Sequence, residues 1–273
     1  MKISLITVTY NSEKYLEDCI MSVIKQNYKD IQHIIIDGKS TDGTISIIER
    51  YSPYISHWIS EKDNGMYDAI NKGMQMATGD VIGLLNSDDL LASQGVISAI
   101  VKCFEENNVD SLYGDLEYVD QHNPEKVLRL WRGQSYKRKR FKFGWMPAHP
   151  TFYFKKELLD RFGSYESHYF TAADYELMAR YLFFNRVSSV YLPKLIVRMR
   201  KGGASNSSLY RRLRANRRDY LAMKKNMIPF PFVVSLLKPV RKLPQYKKLM
   251  YNFFSKKKKA KVVFPGVLLY PVE

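Results

Sequence analysis

Four short apolar runs rich in β-branched residues set the limits on this chain, because each ends in a knot of polar residues and each is followed by a helical pattern. Residues 3–9 (ISLITVT) stop at Tyr10 and Asn11, 31–36 (IQHIII) at Asp37, 55–60 (ISHWIS) at Glu61 to Asp63, and 81–86 (VIGLLN) at Asn86 to Asp89. Runs of this kind fit strands buried on both faces. Between them the spacing predicts helices. The first is capped by Asn11 or Ser12 and reaches Gln26, with Tyr15, Leu16, Cys19, Ile20 and Val23 on its apolar face. Others are expected over 44–51, 66–77 and 93–106, with a strand near 111–113. Strand and helix alternating at this spacing give an α/β fold with a mostly parallel, Rossmann-like sheet and right-handed crossovers. In such sheets ligands bind beyond the carboxyl ends of the strands, where all four polar knots lie.

The fourth knot carries the most chemistry. An apolar run breaks into Asn86, Ser87, Asp88 and Asp89. Two adjacent carboxylates repel unless a cation or a donor stands between them. Hard divalent cations take oxygen ligands, and Mg²⁺ shares them with substrate phosphates. A solvated turn with an Asp helix cap is the plainer explanation of this one segment. Four knots on one sheet edge favour a metal–diphosphate site.

The second half is less regular. Residues 127–131 are expected as a strand and 137–142 (KRKRFK) as an exposed basic loop. Helices are expected over 155–162 and 172–183, and strands over 187–192 and 195–199. The two cysteines, Cys19 and Cys103, fall in apolar helical patterns and read as buried thiols, not as a disulfide framework or a zinc site. No signal peptide or apolar stretch of membrane-spanning length is evident, so a cytosolic location is expected.

Charge divides the 273 residues unevenly. The net charge is +16, yet residues 210–273 hold 17 of the 43 lysines and arginines and two of the 27 acids. The basicity belongs to the tail. Residues 206–226 read as an arginine-rich helix, and apolar clusters at 230–237 and 249–254 alternate with lysines. Aromatic and aliphatic residues set among cations suit an interfacial segment on an anionic membrane. No nucleic-acid-reading motif accompanies the basic stripe, so nucleic acid is not an expected partner.

Five segments in order resemble the family 2 glycosyltransferases of the GT-A fold, in the branch that builds bacterial surface polysaccharides. They are Ile6 to Asn11 (ITVTYN), Ile35 to Thr44 (IIDGKSTDGT), Ser60 to Gly73 (SEKDNGMYDAINKG), Asn86 to Asp89 (NSDD) and Ala173 to Leu177 (ADYEL) with Arg180. The resemblance covers residues 1–205, with a nucleotide-sugar-binding half over 1–115 and an acceptor and catalytic half over 116–205. It leaves 206–273 as a basic amphipathic tail. It implies that Thr9 and Asp37 line the nucleotide base and that Asp63, Asn71, Asn86 and Asp88 lie along the nucleotide or donor sugar. Asp88 or Asp89 would hold a Mg²⁺ or Mn²⁺ ion. Asn86 stands where the family's Asp-x-Asp element has its first acid, which removes one negative charge. Asp174 would be the catalytic base, Trp145 and His149 would face the acceptor, and Lys72 could meet a phosphate. Residues 198–205 (RMRKGGAS) would close over the diphosphate.

These implications amount to a metal-dependent, inverting transfer of sugar, most plausibly from a UDP-sugar, to a glycan or polyprenyl-linked acceptor. The site would be cytoplasmic, at the inner face of the membrane. A sugar-nucleotide pyrophosphorylase would need a Gly-rich phosphate loop where Thr9 to Ser12 stand. A dinucleotide-dependent oxidoreductase would need a Gly-x-Gly-x-x-Gly turn after the first strand. A catalytically decayed sugar-nucleotide-binding or scaffold protein is the non-enzymatic alternative, with Asn86 as its first lesion.

Overall fold

A computed structural model describes the backbone of residues 1–202 and 209–240 and the side chains of 1–202 and 215–235. The apolar clusters and lysines expected over 241–273, and residues 203–205 of the expected late loop, lie outside the described residues.

The four opening runs form β1 (Ile3–Thr9), β2 (Ile31–Asp37), β3 (His57–Ser60) and β4 (Val81–Leu84), joined by α1 (Leu16–Ile24), α2 (Thr44–Arg50) and α3 (Met66–Met76). These strands pair in parallel, in the order β3-β2-β1-β4. Register brings Thr9, Asp37 and Ser60 level with one another at the carboxyl edge. Ile3, Leu5, Ile34 and Ile36 are buried, as two-sided coverage by helices requires.

Beyond β4 the sheet continues through β5 (Leu90–Leu91), α4 (Val96–Asn107), β6 (Ser111–Val119), β7 (Val127–Trp131), β8 (Tyr153–Lys155) and β9 (Ser189–Arg200). The order is β4-β8-β6-β9-β5, with β7 on β6. The long pairing of β6 with β9 is parallel; the short pairings through β8 and β5 are antiparallel. A three-residue strand such as β8 leaves no periodic pattern, which is why it is not expected from the sequence. Gly83 makes its entry possible: a Cβ there would meet the Tyr153 ring at 2.1 Å.

Three expectations are revised. The strand near 111–113 extends to Val119, with its register against β9 shifting around Asp115. The two strands expected over 187–192 and 195–199 are one strand, β9, which carries Pro193 inside it at a register shift against β6. The expected basic loop 137–142 is largely a 3₁₀ turn over Arg138–Phe143, anchored by buried Phe141. Cys19 and Cys103 are both buried and free.

The helices that follow β8 are α5 (Glu157–Phe162) and α6 (Ala173–Met178), the latter continuing as a π-turn through Phe184. The arginine-rich segment forms α7 (Leu209–Lys225), followed by α8 (Pro231–Val240). Ala222 and Met223 of α7 are fully buried, and α7 packs on α6 and on the 3₁₀ turn Ser167–Ala172. This basic helix is thus docked on the body of the protein.

Candidate functional site

The carboxyl edge of β1 to β4 gathers the polar knots. The main chain bends sharply there, with Asn11 at φ 48° and Lys39 at φ 66°. Asn11 accepts from the Thr41 N–H at 2.9 Å and donates its own N–H to Ser40 Oγ at 2.8 Å. These bonds lock the loop after β1 to the loop after β2. Ser12 Oγ lies 2.9 Å from Ser87 Oγ, which ties the first loop to the Asn86–Asp89 turn.

Asp37 is buried. Its carboxylate accepts Ser40 N–H at 2.9 Å, Ser40 Oγ at 2.5 Å and Ser60 Oγ at 2.6 Å. It therefore organises the turn at the edge of β2. Thr9, level with it, is buried and its hydroxyl has no partner among the described residues. Asp63 reaches the same place: its Oδ2 lies 3.0 Å from where a Cβ on Gly38 would be, beside the exposed Tyr10 ring. Its other oxygen pairs with Lys72 Nζ at 2.7 Å. Lys72 also meets Glu61 at 2.7 Å and Asp68 at 3.7 Å. The hydrogen bonds to Asp63 and Glu61 raise its pKa well above that of an ordinary lysine. Its charge is engaged within the protein.

The Asn86–Asp89 turn is held from two sides. Asn86 Nδ2 donates to Asp89 Oδ2 at 3.0 Å, and the Arg200 N–H donates to Asp89 Oδ1 at 3.3 Å. Asp89 is fully buried; burial, then the neighbouring Asp88 charge, raises its pKa well above the carboxylate range. Arg200 Nη1 donates to the Asp88 carbonyl at 3.1 Å and its Nη2 to Asp18 at 2.6 Å. Arg198 pairs with Glu125 at 2.5 Å. Both arginines lie in β9, so the expected diphosphate-closing loop begins no earlier than Lys201. Cys19 Sγ donates to the Asn86 carbonyl at 3.4 Å, from α1.

Among the described residues no group of three or more histidines, cysteines or acids could enclose a metal by themselves. The fit for a divalent cation is of another kind. Asp89 faces inward onto Asn86 and Arg200, while Asp88 is half-buried at the rim. One protein carboxylate completed by substrate phosphate oxygens and water is a donor set that Mg²⁺ accepts. Asn86 orients Asp89 in this arrangement, a function that an amide N–H performs and a carboxylate cannot.

Asp174, at the start of α6, meets residues from two distant segments. Tyr67 Oη, one residue into α3, donates to Asp174 Oδ2 at 2.9 Å. His149 Nε2 stands 3.7 Å from the same oxygen. The Tyr165 hydroxyl faces this carboxylate too. Burial and then the Asp174 charge push the phenols of Tyr67 and Tyr165 well above their usual range, so both are neutral donors. Their rings lie 5.2 Å apart. Asn71 bonds the Tyr165 main chain at both ends, Nδ2 to its carbonyl at 2.8 Å and Oδ1 from its N–H at 3.0 Å. Its amide is thus engaged in holding the Tyr165 segment. Trp145 packs edge-on against Tyr113 and Phe141, with centroids 5.8 and 5.6 Å away.

Behind Asp174 lies a buried ion pair. Arg180 Nη2 meets Glu176 at 2.9 Å and donates to the Ser164 carbonyl at 2.7 Å, and Nη1 donates to the carbonyls of Phe162 and Gly163. Glu176 also meets Lys225 of α7 at 3.2 Å. Arg180 therefore fixes the bend before Tyr165, where Gly163 takes φ 78°. The sequence singles out neither Tyr67 nor Tyr165, marks Ser12 only as a helix cap, and includes Arg200 only as part of the 198–205 segment. Tyr67 stands inside the quoted 60–73 stretch, but nothing in one sequence says which residue of a helix turn meets an acid 107 positions away.

The model of glycosyl transferase family 2 matches residues 4–163. The chain belongs to that family. It is 29% identical over 187 residues to an uncharacterized glycosyltransferase of Mycobacterium tuberculosis, covering 65% of this chain and 68% of that one. It is 25% identical over 213 residues to a PGL/p-HBAD biosynthesis glycosyltransferase of Mycobacterium bovis, covering 75% and 79%. Among solved structures it resembles residues 1–349 of S. aureus TarS in complex with UDP-GlcNAc, with a TM-score of 0.66 at 20% identity. That match covers 82% of this chain and 66% of the TarS fragment. It also resembles the mannosyltransferase PcManGT of Pyrobaculum calidifontis in complex with GDP-Man and Mn²⁺, with a TM-score of 0.62 at 18% identity, covering 97% and 76%. The fold of this family 2 member is therefore GT-A, and its class of activity is glycosyl transfer.

Proposed function

We propose that this glycosyltransferase moves a sugar from a nucleotide-sugar donor, a UDP-sugar foremost, to a hydroxyl of a growing lipid-linked cell-surface glycan, with inversion at the anomeric carbon. One observation supports the reading: Asp174 is a carboxylate held by the neutral donor Tyr67, from the first turn of the helix that follows the Glu61–Asp63 loop, with His149 beside it. In the reaction, the acceptor hydroxyl loses its proton to Asp174 as its oxygen bonds to the anomeric carbon. The bond from that carbon to the diphosphate breaks on the opposite face. Thr9 and Asp37 line the base and Asp63 lies along the donor. Trp145 and His149 border the acceptor.

Asp88 would hold a Mg²⁺ or Mn²⁺ ion, with Asn86 and Asp89 setting its position. Such an ion neutralises charge developing on the diphosphate. The TarS and PcManGT complexes, with UDP-GlcNAc and with GDP-Man and Mn²⁺, support a nucleotide-sugar donor and a divalent cation for this relative. The unit over 1–205 carries the chemistry, and the basic tail over 206–273 brings it to the cytoplasmic face of an anionic membrane, where a polyprenyl-linked acceptor would lie. No helix among the described residues is long and apolar enough to cross a membrane, which is consistent with peripheral attachment.

The test is nucleotide release from a panel of nucleotide sugars with Mg²⁺ or Mn²⁺. Slow release from one donor, lost in Asp174→Asn while that donor still binds, is expected. Binding of a donor with release unaffected by Asp174→Asn would instead mark a decayed, sugar-nucleotide-binding protein.

A further inference from the structure

The turn between α7 and α8 exposes apolar side chains that folding alone would hide. Met227 is 73% exposed, Phe230 79% and Phe232 66%, and Val233 is exposed beside them. Ile228 and Val234, interleaved with them, are 2% exposed and anchor the turn to the core. The backbone is strained to achieve this. Met227 and Phe230 adopt φ 55° and 53°, a left-handed conformation that bulky side chains resist. Phe170, in the 3₁₀ turn that α7 packs against, does the same at φ 46° and is also exposed. Arg218 of α7 lies over its ring at 4.1 Å. Three of the seven non-glycine residues with positive φ among the described residues thus present large apolar side chains on or beside α7. Strain of this sort persists where function uses it.

Positive charge borders the apolar turn. α8 packs on the 3₁₀ turn Arg138–Phe143, where Lys137, Arg138, Lys139 and Lys142 are exposed next to exposed Phe143. Arg217 and Lys224 of α7 are exposed as well. Asp219 is the one acid in the sequence from 209 to 240. An open groove of about 450 Å³ runs between α7 and the turn that carries Tyr169, lined by His168, Arg218, Leu221, Lys224 and Lys225. Aromatic and aliphatic tips ringed by cations match the boundary between acyl chains and anionic headgroups.

We infer that the α7–α8 turn, with the basic turn over 137–143, is the surface that seats this enzyme on an anionic lipid bilayer, Met227, Phe230 and Phe232 entering the interface. The surface is built partly from the body of the protein and not from the distal lysines alone. Its purpose rests on the proposed lipid-linked acceptor; its existence can be tested without it. The probe is the full chain with vesicles of phosphatidylcholine, alone or with phosphatidylglycerol. The full chain should co-sediment with the anionic vesicles and not with the neutral ones. Phe230→Ser combined with Phe232→Ser should weaken that binding by about tenfold or more. Lys137→Glu with Lys139→Glu should weaken it as well and flatten its salt dependence. Donor hydrolysis in solution should match the unaltered chain, which also shows that the variants fold.

Undiminished binding by both variants would overturn the inference, because the distal lysines would then suffice. So would a light-scattering dimer of the unaltered chain that the phenylalanine variant converts to monomer, because a second copy would then cover the patch. Vesicle binding that follows these variants in a chain inactive on every nucleotide sugar would leave the surface standing and remove the proposed function alone.

Discussion

The Tyr67 hydroxyl donates a 2.9 Å hydrogen bond to Asp174 Oδ2 across 107 residues of chain. It joins the first turn of α3, at the carboxyl edge of the parallel sheet, to the first turn of α6. That bond favours one orientation of the carboxylate, and the donor is a phenol that stays protonated.

Removing this donor tests its worth. Tyr67→Phe keeps the ring and its packing on Tyr165. A hydrogen bond to a charged group contributes about 1.5–3 kcal/mol. Steady-state kinetics should show kcat reduced about tenfold or more, with the donor KM nearly unchanged. A rise in donor KM at constant kcat would instead assign Tyr67 to donor binding.

Asp174→Asn is isosteric and cannot take a proton. Loss of a general base costs about 10²- to 10⁴-fold. Transfer should fall by that range while calorimetric titration with the donor gives an unchanged Kd. Full transfer by this variant would reject Asp174 as the base.

Asp88→Ala removes the rim carboxylate and leaves the inward-facing Asp89 with its Asn86 and Arg200 partners. Donor binding should lose its dependence on Mg²⁺ or Mn²⁺, measured by titration with and without chelator. Metal-dependent binding that survives this change would move the ligand role to Asp89.

Arg180→Met should cost about 3 kcal/mol in urea unfolding, since it removes the main partner of buried Glu176 and leaves Lys225 as its one cation among the described residues. Three carbonyls from Phe162 to Ser164 lose their donor at the same time. Unaltered stability would mean that Lys225, 3.2 Å from Glu176, compensates alone.

His33 of β2 is fully buried with its Nε2 3.0 Å from Thr7 Oγ1, and burial pushes its pKa down from 6.5 to about 4. The unfolded chain takes up a proton near pH 6.5 that the folded chain refuses until about pH 4. Stability is therefore complete above pH 6.5 and falls as the pH drops towards 4, by about 3 kcal/mol from this residue. His33→Gln should flatten the stability profile in that window relative to the unaltered protein. An equal slope would show that His33 titrates normally.

The sequence by itself determined the parallel core. β1 to β4 and α1 to α4 form where the apolar runs and helical periodicity put them, because apolar strand runs and amphipathic helices leave local patterns that tertiary contacts reinforce. The same alternation marked Asp37, Asp63 and Asp88 as residues at one sheet edge, and the fifth motif marked Asp174 at the start of a helix.

Tertiary structure alone decided how those acids are used. Whether a strand-end carboxylate faces a ligand or its own protein depends on partners brought from elsewhere in the chain: Ser60 for Asp37, Lys72 for Asp63, Arg200 for Asp89 and Tyr67 for Asp174. Short pairings such as β8 and β5, the single strand β9 through Pro193, and the docking of a highly basic helix on α6 share that cause. Each is fixed by long-range packing and hydrogen bonding that local propensity does not encode.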